Sequence, residues 1–224
     1  MKFITEHKYL FIGIMIGAAL VYLLAQVTTE RKLSELQVSL EASIDNGVAS
    51  TTELARIIGE GKLTKTAEAI VTDCTGEERI SFEAKLAELD MGLPASELKL
   101  VDTLFSRCAP VQSIRRTLMV MDFVRQLEAL DTLVVQRKQI GDFTKYDALL
   151  TDTRILAKHE ERITQLSLDL VYLQREIIDM LMTGGLVNST KATELKDRGF
   201  TLRTNLIKEA EEAAVVRARI LAAS

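Results

Sequence analysis

The chain has 224 residues and a formal net charge of −4, with 47% hydrophobic against 27% charged side chains. That balance supports a packed core and excludes general disorder. The acidic surplus works against phosphate backbones and anionic lipid headgroups, so no nucleic-acid partner is expected. The length suits one large domain or two small ones. With two prolines, no tryptophan and frequent Leu, Ala, Glu, Lys and Arg, the composition favours long helices, because these side chains lose little freedom in a helix.

The first eight residues form a short tail. The stretch YLFIGIMIGAALVYLLAQV, residues 9–27, has no charge. As a helix it rises roughly 28 Å, about the hydrocarbon thickness of a bilayer. Tyr9 and Tyr22 lie where interfacial aromatics sit. A cleaved signal peptide wants small residues at −3 and −1, but the chain offers Leu-Leu-Ala-Gln, so an uncleaved transmembrane anchor is expected. Lys2 and Lys8 precede the span and Arg31 and Lys32 follow it, so flanking charge does not set the orientation. Gly13 and Gly17 form a G-x-x-x-G that allows close approach of two such helices; glycine is also common in membrane helices without that role.

Residues 28–47 keep a helical pattern with Leu33, Leu36, Leu40 and Ile44 on one face, and the anchor helix is expected to run on into this juxtamembrane segment. Asp45-Asn46-Gly47 reads as a stop. Ser50-Thr51-Thr52-Glu53 has the spacing of a capping box and opens a helix through Leu54, Ile57 and Ile58, which Gly59-Glu60-Gly61 weakens or ends. A second stretch covers 62–73. Thr75-Gly76-Glu77-Glu78 repeats the capping-box spacing before Ile80, Phe82, Leu86 and Leu89, with a turn at Met91-Gly92. Pro94 suits the first turn of the next helix, which carries Leu98, Val101, Leu104 and Phe105 and is expected to end before Ala109-Pro110. Another helix then runs to residue 140. Its apolar band is Val111, Ile114, Leu118, Met121, Val124, Leu127, Leu130 and Val134, and Gly141 ends it.

Residues 141–224 read as a long antiparallel hairpin. From 144 to 183, Leu156, His159, Ile163, Leu166, Leu170, Leu173, Ile177 and Met180 recur at steps of three and four, up to Gly184-Gly185. From 189 to 222, Ala192, Leu195, Gly199, Leu202, Leu206, Glu209, Ala213, Val216 and Ile220 do the same. The repeat is that of coiled-coil packing, and the short loop makes the two helices neighbours. The expected fold is all-α: one transmembrane helix, then an antiparallel bundle whose last two helices are long and coiled-coil-like. Residues 48–140 form a helical subdomain between the juxtamembrane helix and this hairpin.

Cys74 and Cys108 are the only cysteines, and the point midway between them is Met91, in the expected turn. Two antiparallel arms of equal length bring their outer ends together, so a disulfide is expected to staple the 74–108 hairpin. Such a bond belongs outside the cytosol, which places the C-terminal part in the periplasm or the extracellular space. The plain alternative is a pair of small buried hydrophobes.

Catalytic and metal signatures fail one by one. His159-Glu160-Glu161-Arg162-Ile163 lacks the second histidine of H-E-x-x-H, and no Glu-x-x-His pair exists for a di-iron bundle. Gly59-Glu60-Gly61-Lys62 lacks the rest of a phosphate loop. No histidine is placed to activate a serine, and C-x-x-C is absent. The adjacent carboxylates Glu77-Glu78, Glu160-Glu161 and Glu211-Glu212 read as solvated faces. His159 is a polar position on an apolar stripe, as is Glu209, and Gly199 is a thin one that admits a partner side chain.

The expectation is a non-enzymatic, cofactor-free, single-pass protein. It reaches the membrane through its N-terminal helix and presents a helical bundle as a scaffold or interaction module of a cell-envelope assembly. Its partners are other proteins or further copies of itself. Two alternatives stay open: an ectodomain that senses a small ligand between helices, and a cytosol-facing tether with reduced thiols.

Overall fold

A computed structural model of the chain describes residues 2–62, 64, 67, 74, 77, 78, 81, 84, 85, 95–183 and 189–223, with the backbone alone for 2–25, 95, 96 and 189. The described residues hold four long helices and no strand, so the fold is all-α: α1 (Lys2–Gly59), α2 (Ala95–Ile140), α3 (Asp147–Met182) and α4 (Ser189–Ala223). Two compact units share these elements. One joins Met1–Asn46 to Leu130–Thr144, and the other joins Gly47–Ala129 to Lys145–Ser224.

In the first unit α1 and α2 run antiparallel. The buried Arg137 sends Nε and Nη2 to Glu41 Oε1, at 3.1 and 2.7 Å, and its guanidinium lies 5.0 Å from the centre of the Phe143 ring. Ile44, Leu130, Val134 and Phe143 are buried. Leu33 and Leu36 are exposed, so the apolar face read from 28 to 47 is covered only toward its end. Gly13, Gly17 and nearly all of the 9–27 span lie outside the residues whose side chains are described. Among the described residues, no helix is long and apolar enough to cross a membrane.

Two expected helix boundaries are absent. α1 continues through Asp45-Asn46-Gly47, because Ile44, Val48, Thr51, Ala55 and Ile58 form a buried stripe at helical spacing. That burial offsets the ~1 kcal/mol that a mid-helix glycine costs. Thr51 does not cap anything: its hydroxyl donates to the Gly47 carbonyl at 2.7 Å, and Glu53 turns instead to Arg56 at 2.5 Å. α2 likewise runs through Pro110, although proline there removes an amide and crowds the preceding turn. The buried residues Val101, Leu104, Phe105, Cys108 and Ala109 before it, and Met119, Val120 and Phe123 after it, hold the helix on both sides.

α1 does end where the glycines stand. Gly61 takes φ +67°, its N–H donates to the Ile58 carbonyl at 3.2 Å, and the Lys62 N–H donates to Ile57 at 3.0 Å. This is a Schellman closure, with glycine at the left-handed position. A few residues on, Thr64 accepts the Ala67 N–H at 3.2 Å and donates to Asp122 on α2 at 3.1 Å.

The second unit is an antiparallel bundle. Cys74 and Cys108 are paired as a disulfide with Cα atoms 5.0 Å apart. Cys108 is fully buried in a cluster with Val101, Leu104, Phe105, Ala109 and Ile178. Glu78 pairs with Arg107 and Lys85 with Glu97, each at 2.5 Å, so partners after Cys74 meet α2 in reverse order, as the arms of a hairpin do. The first arm of that hairpin, with the 62–73 stretch, the turn at Met91-Gly92 and the Gly184-Gly185 loop, falls mostly or wholly outside the described residues.

α3 and α4 are the expected antiparallel pair. Leu156, Ile163, Leu166 and Leu173 of α3 are buried against Leu195, Ala213, Val216 and Ile220 of α4 as the most regular seam. A Cβ on Gly199 would stand 3.3 Å from Leu173 Cδ2, so this thin position is where the leucine seats. Ile178, not Ile177, is the buried isoleucine at the end of α3. On α2 the expected band holds at Leu127, Leu130 and Val134, which are buried, and is rotated before them: Ile114 and Met121 are exposed, while Met119, Val120 and Phe123 are buried. A wide apolar band has several helical faces, and only the neighbouring helix selects one.

Ion pairs line the rim of the α3–α4 seam. Asp152 meets Arg219 at 2.7 Å, and Glu176 meets Lys191 at 2.8 Å and Arg198 at 2.9 Å. The hydrogen bond from Arg219 holds the Asp152 carboxyl below its ordinary value, and Lys191, then Arg198, do the same for Glu176.

Two predictions follow from this packing. The disulfide closes a loop of 34 residues' separation. Replacing either cysteine with serine should cost about 3–4 kcal/mol, or roughly 10 °C in melting temperature, relative to the oxidised protein. An unchanged melting temperature would show that the bond adds nothing. Separately, a carboxyl depressed in the folded state contributes stability that is present above its unfolded value, near pH 4, and lost as pH falls through the folded one. Melts from neutral pH to about pH 3 should therefore show a shallower acid loss in the Asp152→Asn, Glu176→Gln double variant than in the parent.

Candidate functional site

The chemistry of the second unit concentrates where its helices meet. Glu160, expected on a solvated face with Glu161, has a side chain only 2% exposed. It lies one residue beyond His159 and faces inward from α3, between two arginines. Arg116 of α2 donates through Nη2 to Oε2 at 2.8 Å, and Arg217 of α4 donates through Nη2 to Oε1. One carboxylate thus ties three helices together. The fourth enters through a gap: a Cβ on Gly59 would lie 2.5 Å from Arg217 Cδ and 2.7 Å from its Nε. Gly59 leaves room for the guanidinium stem, so Arg217 occupies the last turn of α1 and carries its charge to the negative end of that helix.

Two cations face one buried anion here. The Nε atoms of Arg116 and Arg217 have no hydrogen-bond partner among the described residues. Desolvating this trio is costly, and its mutual attraction compensates only while every member is present. Each arginine of the trio is held on the shared carboxylate, so the cluster fixes the positions of α2, α3 and α4.

On the seam beside the trio, His159 Nδ1 lies 2.8 Å from Glu209 Oε2 and 3.8 Å from Glu212 Oε2. The three donor atoms fall within 4.8 Å of one another. His159 and Glu209 are the two polar interruptions of their stripes, and the antiparallel pairing sets them opposite each other. Glu212 joins because residues three apart share a helix face; Lys208 Nζ is 3.9 Å from its other oxygen.

Two further surfaces belong to this unit. Between α2 and α3 runs an open groove of about 430 Å³, with Val120, Met121, Val124 and Leu168 among its walls. On α4, Phe200, Ile207, Ala214 and Leu221 recur every seventh residue and are all exposed, the first two at 72% and 59%. They stand on the side of α4 away from Leu195, Ala213, Val216 and Ile220, so the helix has an apolar stripe inside and a second one outside.

Sequence reasoning placed His159, Glu209 and Gly199 on the seam and missed Glu160, Arg116 and Arg217. The available signal was a glutamate one position off an apolar stripe, with arginines on two other helices, and nothing local pairs them. Protein-family models, curated proteins and solved structures, each compared with the chain, give no match.

Removing one member of a buried ion cluster leaves the others uncompensated. Glu160→Gln should therefore destabilise the protein by about 3–5 kcal/mol. The triple variant Arg116→Met, Glu160→Met, Arg217→Met should recover most of that loss, as read by denaturant titration. Gly59→Ala should destabilise in the parent and far less when Arg217 is already alanine. Equal effects in both backgrounds would mean that the guanidinium does not hold the site.

Proposed function

We propose that the chain is a single-pass, membrane-anchored protein that presents its helical bundle outside the cytoplasm, as a scaffold or interaction module in a cell-envelope assembly. The outer stripe of α4 carries this reading. Side chains such as Phe200 and Ile207 recur at heptad spacing where a solitary bundle would place charge. A row of this kind suits a helix of another protein or of a second copy. The anchor rests on the uncharged 9–27 segment. The side of the membrane rests on the Cys74–Cys108 bond, since disulfides persist in oxidising compartments. The buried trio supports the role in another way, by fixing which face of α4 turns outward.

A second reading has the groove between α2 and α3 as its observation. Its volume of about 430 Å³ and its apolar walls suit a small ligand. Such a ligand would raise the melting temperature without changing the assembly state, whereas a protein partner would change the latter.

Two measurements test the leading reading. Thiols are trapped with an alkylating reagent in intact cells, and the unfolded protein is weighed. Two cysteines that become reactive only after reduction support the extracytoplasmic placement; two alkylated cysteines favour the cytosol-facing tether. Sedimentation of the full chain in detergent should then show self-association, or co-sedimentation with a cross-linked partner. Phe200→Glu with Ile207→Glu should abolish it and leave the melting temperature unchanged. Assembly that survives both substitutions removes the outer stripe as the contact.

A further inference from the structure

We infer that His159, Glu209 and Glu212 form a binding site for a divalent transition-metal ion of the zinc type, bridging α3 and α4. The donor set is one imidazole nitrogen and two carboxylate oxygens, drawn from two helices. Zinc ligands stand about 2.0–2.2 Å from the ion in a tetrahedral array, so neighbouring donor atoms are roughly 3.3 Å apart. The two separations from His159 Nδ1, 2.8 and 3.8 Å, straddle that value. The third pair, within 4.8 Å, closes by a modest turn of the Glu212 side chain, which is 47% exposed and free to make it.

Charge and hardness point the same way. Two carboxylates converge on a single imidazole, and the lysine nearest to them reaches only to 3.9 Å of one outer oxygen and is itself exposed. A divalent ion neutralises both carboxylates; a protonated histidine neutralises one. The nitrogen donor disfavours calcium and magnesium, which take oxygen ligands, and suits zinc and its first-row neighbours. The framework is also prepared. Glu160, next to His159 on α3, is locked to Arg217 on α4, so the helix faces that carry the three donors are held in register before any ion arrives. With three protein ligands, a fourth position remains for water or for a side chain of a bound partner.

The site joins residues 50 positions apart in the chain, in no single motif. Glu209 and Glu212 are three apart on one helix and His159 lies on the other, so a pattern that seeks two histidines on one helix passes over it.

The test uses the full chain in detergent, without an affinity tag that contains histidine, and stripped of metal by a chelator. Zinc chloride is titrated by calorimetry, and cobalt(II) serves as a spectroscopic probe. The expected result is one saturable zinc per chain, a zinc-dependent rise in melting temperature, and cobalt ligand-field bands of a four-coordinate centre. His159→Ala and Glu209→Gln should each weaken zinc binding by roughly tenfold or more. Glu212→Gln, at the most exposed ligand and so the least able to disturb folding, should weaken it too. Glu211→Gln and His7→Ala should leave it unchanged. Absence of saturable binding, or binding that survives His159→Ala and Glu212→Gln alike, overturns the site.

Discussion

Glu160 is the constraint on which the second unit depends. Its carboxylate is out of water and holds two guanidiniums from two other helices, one of them lodged in the gap at Gly59. Apolar seams such as Leu156, Ile163 and Leu166 against Ala213 and Val216 supply most of the driving force, yet such seams tolerate rotation and slippage. A charged trio does not, because every displacement of a helix exposes an unpaired buried charge. The hydrophobic stripes favour the bundle; the trio selects which of its close relatives is formed.

The disulfide acts on another part of the same unit. It fastens the described residues after Cys74 to the start of α2, within an apolar cluster that Ile178 of α3 completes. Arg175 extends that contact, with Asp102 at 2.7 Å and the Phe105 ring 5.9 Å away. One end of α3 is thus held by packing around a covalent link, and its middle by electrostatics. The first unit has its own device, the stacking of Arg137 on Phe143 while it grips Glu41.

Legibility in the sequence followed the range of the interaction. The all-α class, the α3–α4 pairing and the seam positions were readable, because a three-four step is a local signal. His159 and Glu209 were each legible as polar interruptions of their stripes, but their meeting, 50 residues apart, was not. The end of α1 was readable from Gly59 to Gly61, although only the structure separates their roles: Gly61 supplies a left-handed turn, and Gly59 supplies space. Asp45-Asn46-Gly47 and Pro110 misled, since local breakers yield to buried residues on both sides of them. The arginines that reach Glu160 are 44 and 57 residues away from it, and no short pattern encodes such a meeting.

The trio also limits how this protein can change over generations. Losing Glu160 first leaves two partly buried cations without their shared anion, and losing either arginine first strands a share of the buried charge. Gly59 can grow only if the Arg217 side chain leaves its gap. These four positions are therefore bound to drift as a block, through rare joint replacements, while the exposed faces around them change one letter at a time. Between distant descendants of this chain, a glycine, an arginine, a glutamate and an arginine kept at these intervals would be the last trace of common ancestry to fade.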